Sequence, residues 1–230
     1  MADVAKINDT TYRFEDGFVR FFLLIGKERA MLIDSGANCH DARKQAEALT
    51  SLPIILANTH GDGDHTSGTA AFDEIYMTAD DYDKCDVSQR YPGTTLHEVK
   101  DNDIFDLGGR TIRVITIPGH TYGSIALLDE TFGMLFAGDS VQKGNIYMFG
   151  DKRDINSYEA SLKKLISFES EYNTIFASHD EPSLPKDYAT KVLKAWQSVE
   201  NGEVTPEPVN LFGNEIMLYK TQYCGFYMAK

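Results

Sequence analysis

The stretch Thr59-His60-Gly61-Asp62-Gly63-Asp64-His65 sets two imidazoles and two carboxylates within six consecutive residues, spaced by glycines. Histidine and aspartate are the side chains that hold zinc and neighbouring first-row ions, and glycine lets the backbone turn tightly enough to aim several of them inward. Asp-Gly clusters are also ordinary turn chemistry, so alone the stretch also reads as a solvated acidic turn. What decides is whether further ligands arrive from elsewhere in the chain.

Immediately upstream, Pro53-Ile54-Ile55-Leu56-Ala57 is continuously apolar, as a strand buried on both faces is, and it delivers His60 at its end. Before it, Phe18–Ile25 and Ala30–Ile33 read as strands around a turn at Gly26–Arg29, the second ending in Asp34-Ser35-Gly36. A helix over Asp41–Leu49 follows, with Ala42, Ala46 and Leu49 on one face and Asn38 or Asp41 as cap. Downstream of the ligand stretch, Ser67, Gly68, Ala70 and Ala71 open a short helix, Glu74–Met77 is a strand, and Thr78–Gln89 is a helix.

From Thr94 to Ala137 the pattern is all β and implies a second sheet, with strands at Thr95–Lys100, Asp103–Leu107, Thr111–Ile117, Ser124–Leu128 and Met134–Ala137. Two of them stop at ligand-type residues, Pro118-Gly119-His120 and Gly138-Asp139-Ser140. Residues 141 to 155 read as a loop, with Tyr147, Met148 and Phe149 outside the core and available to line a pocket. Tyr158–Phe168 is amphipathic, with Leu162, Leu165 and Ile166 as its stripe and Asn156 or Ser157 as cap. A strand at Thr174–Ala177 then ends in Ser178-His179-Asp180. Pro182 and Pro185 open a last helix over Lys186–Val199, and Val209–Met228 reads as a terminal hairpin or strand pair. The whole reads as one domain, 1–230, with 200–230 as a strand-rich tail.

Four times, then, a strand ends and a histidine or aspartate follows at once: the His60 cluster, His120, Asp139 and His179. Ligands gathered from the carboxyl ends of several strands are how metal sites are built on rigid scaffolds. His40, beside a helix start, and His97, inside a strand, fall outside this pattern.

Composition narrows the partners. Lys+Arg number 22 against 35 Asp+Glu, a formal charge of -13, which repels phosphate backbones and anionic membrane surfaces. Nucleic acid and membrane are therefore not expected partners; a small molecule is. Cys39, Cys85 and Cys224 are three widely separated thiols, unsuited to a disulfide framework, and the N-terminus lacks the basic and apolar regions of a secretory signal. A cytoplasmic protein is expected. Monomer and homodimer stay open.

The order His60-x-Asp62-x-Asp64-His65, Pro118-Gly119-His120-Thr121, Ala137-Gly138-Asp139-Ser140 and Ser178-His179 resembles the metallo-β-lactamase superfamily, and Leu32-Ile33-Asp34-Ser35-Gly36 looks like its early strand end. The resemblance implies a four-layer αββα sandwich, two mixed sheets between helices. It also implies that His60, Asp62 and His120 hold one divalent ion, that Asp64, His65 and His179 hold a second, and that Asp139 bridges them. A hydroxide between the ions is then the nucleophile, Asp64 orients it or shuttles its proton, and Asp34 orients ligands from behind. The implied activity is hydrolysis of a small ester, thioester, lactone or amide. Tyr122, Tyr147, Phe149 and Tyr223 are candidates for substrate contact.

One position departs from the family pattern, which usually has histidine where this chain has Asp62. Two divalent ions, three ligand carboxylates and a hydroxide sum to zero, where the usual histidine would leave a single positive charge. A carboxylate is also a harder ligand than imidazole, so manganese or iron stand beside zinc as candidate metals. The same departure leaves open an iron-dependent oxidoreductase on this fold, or a metal-binding relative without turnover.

Overall fold

In the computed structural model, which describes all residues Met1–Lys230, burial alternates in a way that sorts the strands into layers. Strands β1 (Asp3–Asn8), β2 (Thr11–Asp16), β3 (Val19–Ile25), β4 (Ala30–Ile33), β5 (Ile54–Ala57), β6 (Glu74–Met77) and β7 (Thr95–Glu98) form a seven-stranded sheet in chain order. Its first four strands pair antiparallel and its last four parallel. The connections of the parallel half carry helices α1 (Ala42–Glu47), α2 (Gly63–Thr66), α3 (Ala79–Lys84) and α4 (Val87–Arg90).

The second sheet holds β8 (Ile104–Asp106), β9 (Thr111–Thr116), β10 (Ile125–Asp129), β11 (Met134–Phe136), β13 (Thr174–Phe176) and β14 (Ser183–Pro185), in the order β14-β13-β11-β10-β9-β8. Between β11 and β13 run β12 (Asn145–Met148) and α5 (Ile155–Ser167), and after β14 comes α6 (Tyr188–Glu200).

Both sheets are two-sided. Phe22, Leu24, Met31 and Ile33 of the first pack on Ile112, Val114, Leu127 and Phe136 of the second, which makes the layer between the sheets. Phe21, Leu23 and Leu32 point the other way, onto Ala42 and Ala46 of α1. Ile115, Ala126 and Leu128 likewise turn outward onto Leu162 and Leu165 of α5 and Val192 and Trp196 of α6. Period-2 alternation in each strand thus feeds two cores at once. The αββα sandwich expected from the sequence is present.

Five local expectations need correction. Thr95–Glu98 is a strand, but it joins the first sheet beside β6 and not the second. The helix expected over Thr78–Gln89 is two helices, interrupted where Asp86 adopts φ 59°. Residues 141 to 155 are not all loop: Asn145–Met148 is β12, and Met148 is fully buried. The tail supplies three strands, β15 (Glu207–Leu211), β16 (Asn214–Lys220) and β17 (Gly225–Met228), which with β12 make a third sheet in the order β12-β17-β16-β15. Finally, α5 starts at Ile155, ahead of the expected caps Asn156 and Ser157, with Asp154 as its boundary residue. The three cysteines are free and buried, and no helix is long and apolar enough to cross a membrane.

Candidate metal centre

The strand ends converge as their pattern required. β5 runs out at Ala57 and the chain continues through Asn58 and Thr59 into His60. Two tight approaches there require glycine: a Cβ on Gly61 would lie 2.4 Å from Cys85 Cβ, and one on Gly138, whose φ is 52°, would lie 2.8 Å from Thr59 Oγ1. His65 follows on the single turn of α2, His120 beyond β9, Asp139 beyond β11 and His179 beyond β13.

The four imidazoles share one arrangement, with Nδ1 tied outward to the protein. His65 Nδ1 donates to Asp34 Oδ2 at 2.9 Å, His120 Nδ1 to the Tyr147 carbonyl at 2.9 Å, and His179 Nδ1 to the Phe18 carbonyl at 2.8 Å. His60 Nδ1 lies 3.0 Å from Thr59 Oγ1, which itself donates to Asp34 Oδ2 at 2.7 Å and so accepts from the ring. Asp34 therefore orients both His60 and His65, and it also accepts from the Thr59 amide at 2.7 Å. It does so from a left-handed backbone (φ 62°), a conformation uncommon outside glycine that aspartate adopts more readily than most residues.

With Nδ1 anchored, every Nε2 is left to face the interior of the cluster. His60, His65 and His120 are almost wholly buried, and their Nε2 atoms have no hydrogen-bond partner; nor has Asp139 Oδ1. Buried polar atoms without partners are costly unless something else occupies the space between them. The donors sort into two groups, His60 with His120 and Asp139, and Asp64 with His65 and His179, each with ligand atoms within 4.8 Å of one another. Asp139 faces both: Oδ1 lies 3.2 Å from His65 Nε2, and Oδ2 lies 3.1 Å from His179 Nε2 and 3.6 Å from His120 Nε2. Asp62 Oδ2 joins the first group, 3.4 Å from His120 Nε2 and 3.8 Å from His60 Nε2. Asp64 Oδ2 is 3.4 Å from His179 Nε2 and 3.8 Å from His65 Nε2. These atoms fit a pair of divalent ions in type, count and direction.

Electrostatics divide the imidazoles. Burial and the neighbouring His65 hold His60 well below the usual imidazole range. Burial opposes protonation of His65 and His179 too, but Asp139 overrides it, helped by Asp34 and Asp64 at His65, and lifts His179 to about 10. Asp139 is itself held well below the carboxylate range, because His179 and His65 outweigh its burial.

Family membership follows from a match over residues 15–179 to the model of the metallo-beta-lactamase superfamily. The chain belongs to this superfamily. As such it is a metal-dependent hydrolase. It is 29% identical over 177 residues to a hydroxyacylglutathione hydrolase of Francisella tularensis subsp. tularensis, covering 75% of this chain and 67% of that protein. It is 28% identical over 146 residues to an atrochrysone carboxyl ACP thioesterase of Claviceps purpurea, covering 61% and 44%. In fold it is similar to a metallo-beta-lactamase from Pontibacter korlensis, with a TM-score of 0.71 and 18% identity over 86% of this chain and 99% of that one.

The remaining candidates from the sequence scatter. Tyr147 meets the cluster through its carbonyl on His120, while its ring lies against Tyr227 and near Phe149. Tyr122 is 36% exposed beneath Lys84, and Tyr223 packs on the core of α5 and α6 with its carbonyl accepting from Tyr188. His40 bonds the Ser67 carbonyl and His97 pairs with Glu74, away from the cluster.

Sequence reading missed three contributors. Phe18, at the β2–β3 turn, is 64% exposed and stacks on His179 with ring centroids 5.9 Å apart. Asp81 of α3 accepts from the amides of Gly61 (2.8 Å) and Gly123 (2.7 Å) and from Thr121 Oγ1 (2.7 Å), so it ties the His60 loop to the His120 loop. Arg153 donates to Asp62 Oδ2 at 2.8 Å. Asp81 sits near the start of a helix and Phe18 in a hairpin turn, which are weak signals; Arg153 had none.

Proposed function

We propose that this hydrolase binds two divalent ions and cleaves a small ester or thioester, with lactones and amides as neighbouring possibilities in the same chemistry. The observation that carries the reading is the set of inward, unpartnered Nε2 atoms facing three carboxylates. His60, Asp62 and His120 would hold one ion, Asp64, His65 and His179 the other, and Asp139 both. Such ions, zinc foremost, with manganese or iron admitted by Asp62, lower the pKa of a water towards neutrality and polarise the scissile carbonyl.

The chain's own groups do the rest. Asp34, Thr59, and the Tyr147 and Phe18 carbonyls hold the imidazoles as Nδ1–H tautomers, so that Nε2 is available as a lone pair. Asp64, part-exposed at the rim of the cluster, would take a proton from the attacking water and return it to the leaving group. The names of the two curated relatives, a thioesterase and a hydrolase of a glutathione thioester, favour a thioester among the candidate substrates. Cysteine usage supports a cytoplasmic setting.

Purified protein should contain about two divalent ions per chain, lose thioesterase activity on chelation and recover it with zinc. A metal-free preparation with full activity overturns the reading, and tightly held iron with oxygen consumption would replace it with redox chemistry.

Metal uptake should also release protons. His179 is raised to about 10 and so carries a proton at neutral pH in the metal-free protein, which a metal ion must displace; His65 is raised above its ordinary range as well. Affinity at the Asp64–His65–His179 group should therefore rise with pH from neutrality upward, by up to about tenfold per unit for the proton displaced from His179. Calorimetry in buffers of different ionisation enthalpy measures this directly, and uptake without proton release contradicts it.

A further inference from the structure

Asp62 is not a free carboxylate. Its Oδ2, the oxygen facing His120 and His60, also accepts from Arg153 Nη2 at 2.8 Å. The arginine side chain is 12% exposed, and Nε and Nη1 are buried with no partner, so Asp62 is the group to which this cation is committed. Its backbone is braced to the same neighbourhood: the Asp154 amide donates to the Gly119 carbonyl at 2.9 Å and the Tyr122 amide to the Lys152 carbonyl at 3.2 Å, on either side of His120. Arg153 and His120 are thus presented to Asp62 by one paired segment.

We infer that Arg153 is a positioning residue of the metal centre: with Asp62 it forms a charge-neutral unit that fixes the carboxylate's direction and returns the positive charge which a third carboxylate removes. The inference rests on the two-metal reading above. The charge sum of zero that Asp62 implies becomes one positive charge once Arg153 is counted. A guanidinium this close has two opposed effects. It repels a divalent ion held by Asp62, and it favours the negative charge that develops on the carbonyl oxygen during hydrolysis. A purely structural arginine would do neither, and its loss would lower metal binding and activity together.

The test is zinc titration by calorimetry on chelator-stripped protein, alongside thioesterase kinetics. Arg153→Met should tighten one of the two zinc steps by about tenfold or more, as expected when a unit charge beside a divalent ion is removed from a partly buried site. Its kcat should fall by a similar factor, while Arg153→Lys stays near wild type on both. Asp62→His should strand the buried guanidinium and weaken that zinc step by about tenfold or more. Asp62→His with Arg153→Met should recover it. If Arg153→Met loses zinc affinity and activity together, or leaves zinc binding unchanged, the inference falls and the two-metal reading stands. If wild type takes up no zinc, manganese or iron, both fall. Should Arg153→Met not fold, as judged by circular dichroism, the comparison of Asp62→His with the double variant decides alone.

Discussion

Asp139→Ala should leave the protein with less than one bound ion per chain and lower kcat/KM by about a thousandfold or more. Asp139 is 6% exposed and is the carboxylate that faces imidazoles of both ligand groups, whereas Asp62 and Asp64 each serve one. Its removal takes a carboxylate donor from both proposed ion positions, so both lose affinity at once. Metal assistance is worth several kcal/mol of barrier, and each 1.4 kcal/mol or so is about tenfold in rate. Metal analysis and steady-state kinetics check it. A variant retaining two ions and a tenth of the activity would show that the two groups do not share Asp139.

The largest effect on stability should come from the other end of the sandwich. Arg110 precedes β9 and His120 follows it, so Arg110 lies at the end remote from the cluster. Its side chain is 2% exposed and donates to Asp129 Oδ2 through Nε (2.9 Å) and Nη2 (2.6 Å), while Nη1 reaches the Thr10 carbonyl at 2.7 Å and Nη2 reaches Thr11 Oγ1 at 2.7 Å. One buried guanidinium therefore joins the β1–β2 turn of the first sheet to β10 of the second. Asp129→Ala strands it, and breaking a buried pair on one side costs about 3–5 kcal/mol. For a chain of this size that corresponds to a fall in Tm on the order of 10 °C. Metal content at low temperature should hardly change. Replacing both partners with apolar residues, Arg110→Met with Asp129→Leu, should recover much of the loss, because no charge is then left buried alone. Thermal denaturation of the single and double variants distinguishes this from a general loss of packing.

Much of this fold could be read from the chain because its information is local. A buried strand such as Ile54–Ala57 announces itself by continuous apolarity, and the ligand that follows is adjacent in sequence. What could not be read is long-range. Nothing in Thr95–Glu98 says which sheet its edge will meet, since pairing with β6 depends on the helical connection between them. Asn145–Met148 is four residues long between Gly144 and Gly150, and its partner strand lies about eighty positions later. The break at Asp86 turns on one left-handed residue inside an otherwise helical pattern. The same distinction holds in the site. The seven ligand candidates lie in the segments that follow strand ends, Asp64 and His65 on the short α2 after β5, while Arg153 is a charged loop residue with no periodicity, and it is the residue that alters the charge balance inferred from Asp62.

The third sheet has a bearing on when the enzyme can become active. Tyr147, whose carbonyl orients His120, lies in β12, and β12 is zipped in parallel to β17, with Tyr147 opposite Tyr227. A parallel strand pair of such sequence separation forms late and only when both members exist. On the ribosome, β12 therefore lacks its partner strand until residues 225–228 have emerged, so the carbonyl that accepts from His120 is held in a sheet only once the C-terminal strands are made.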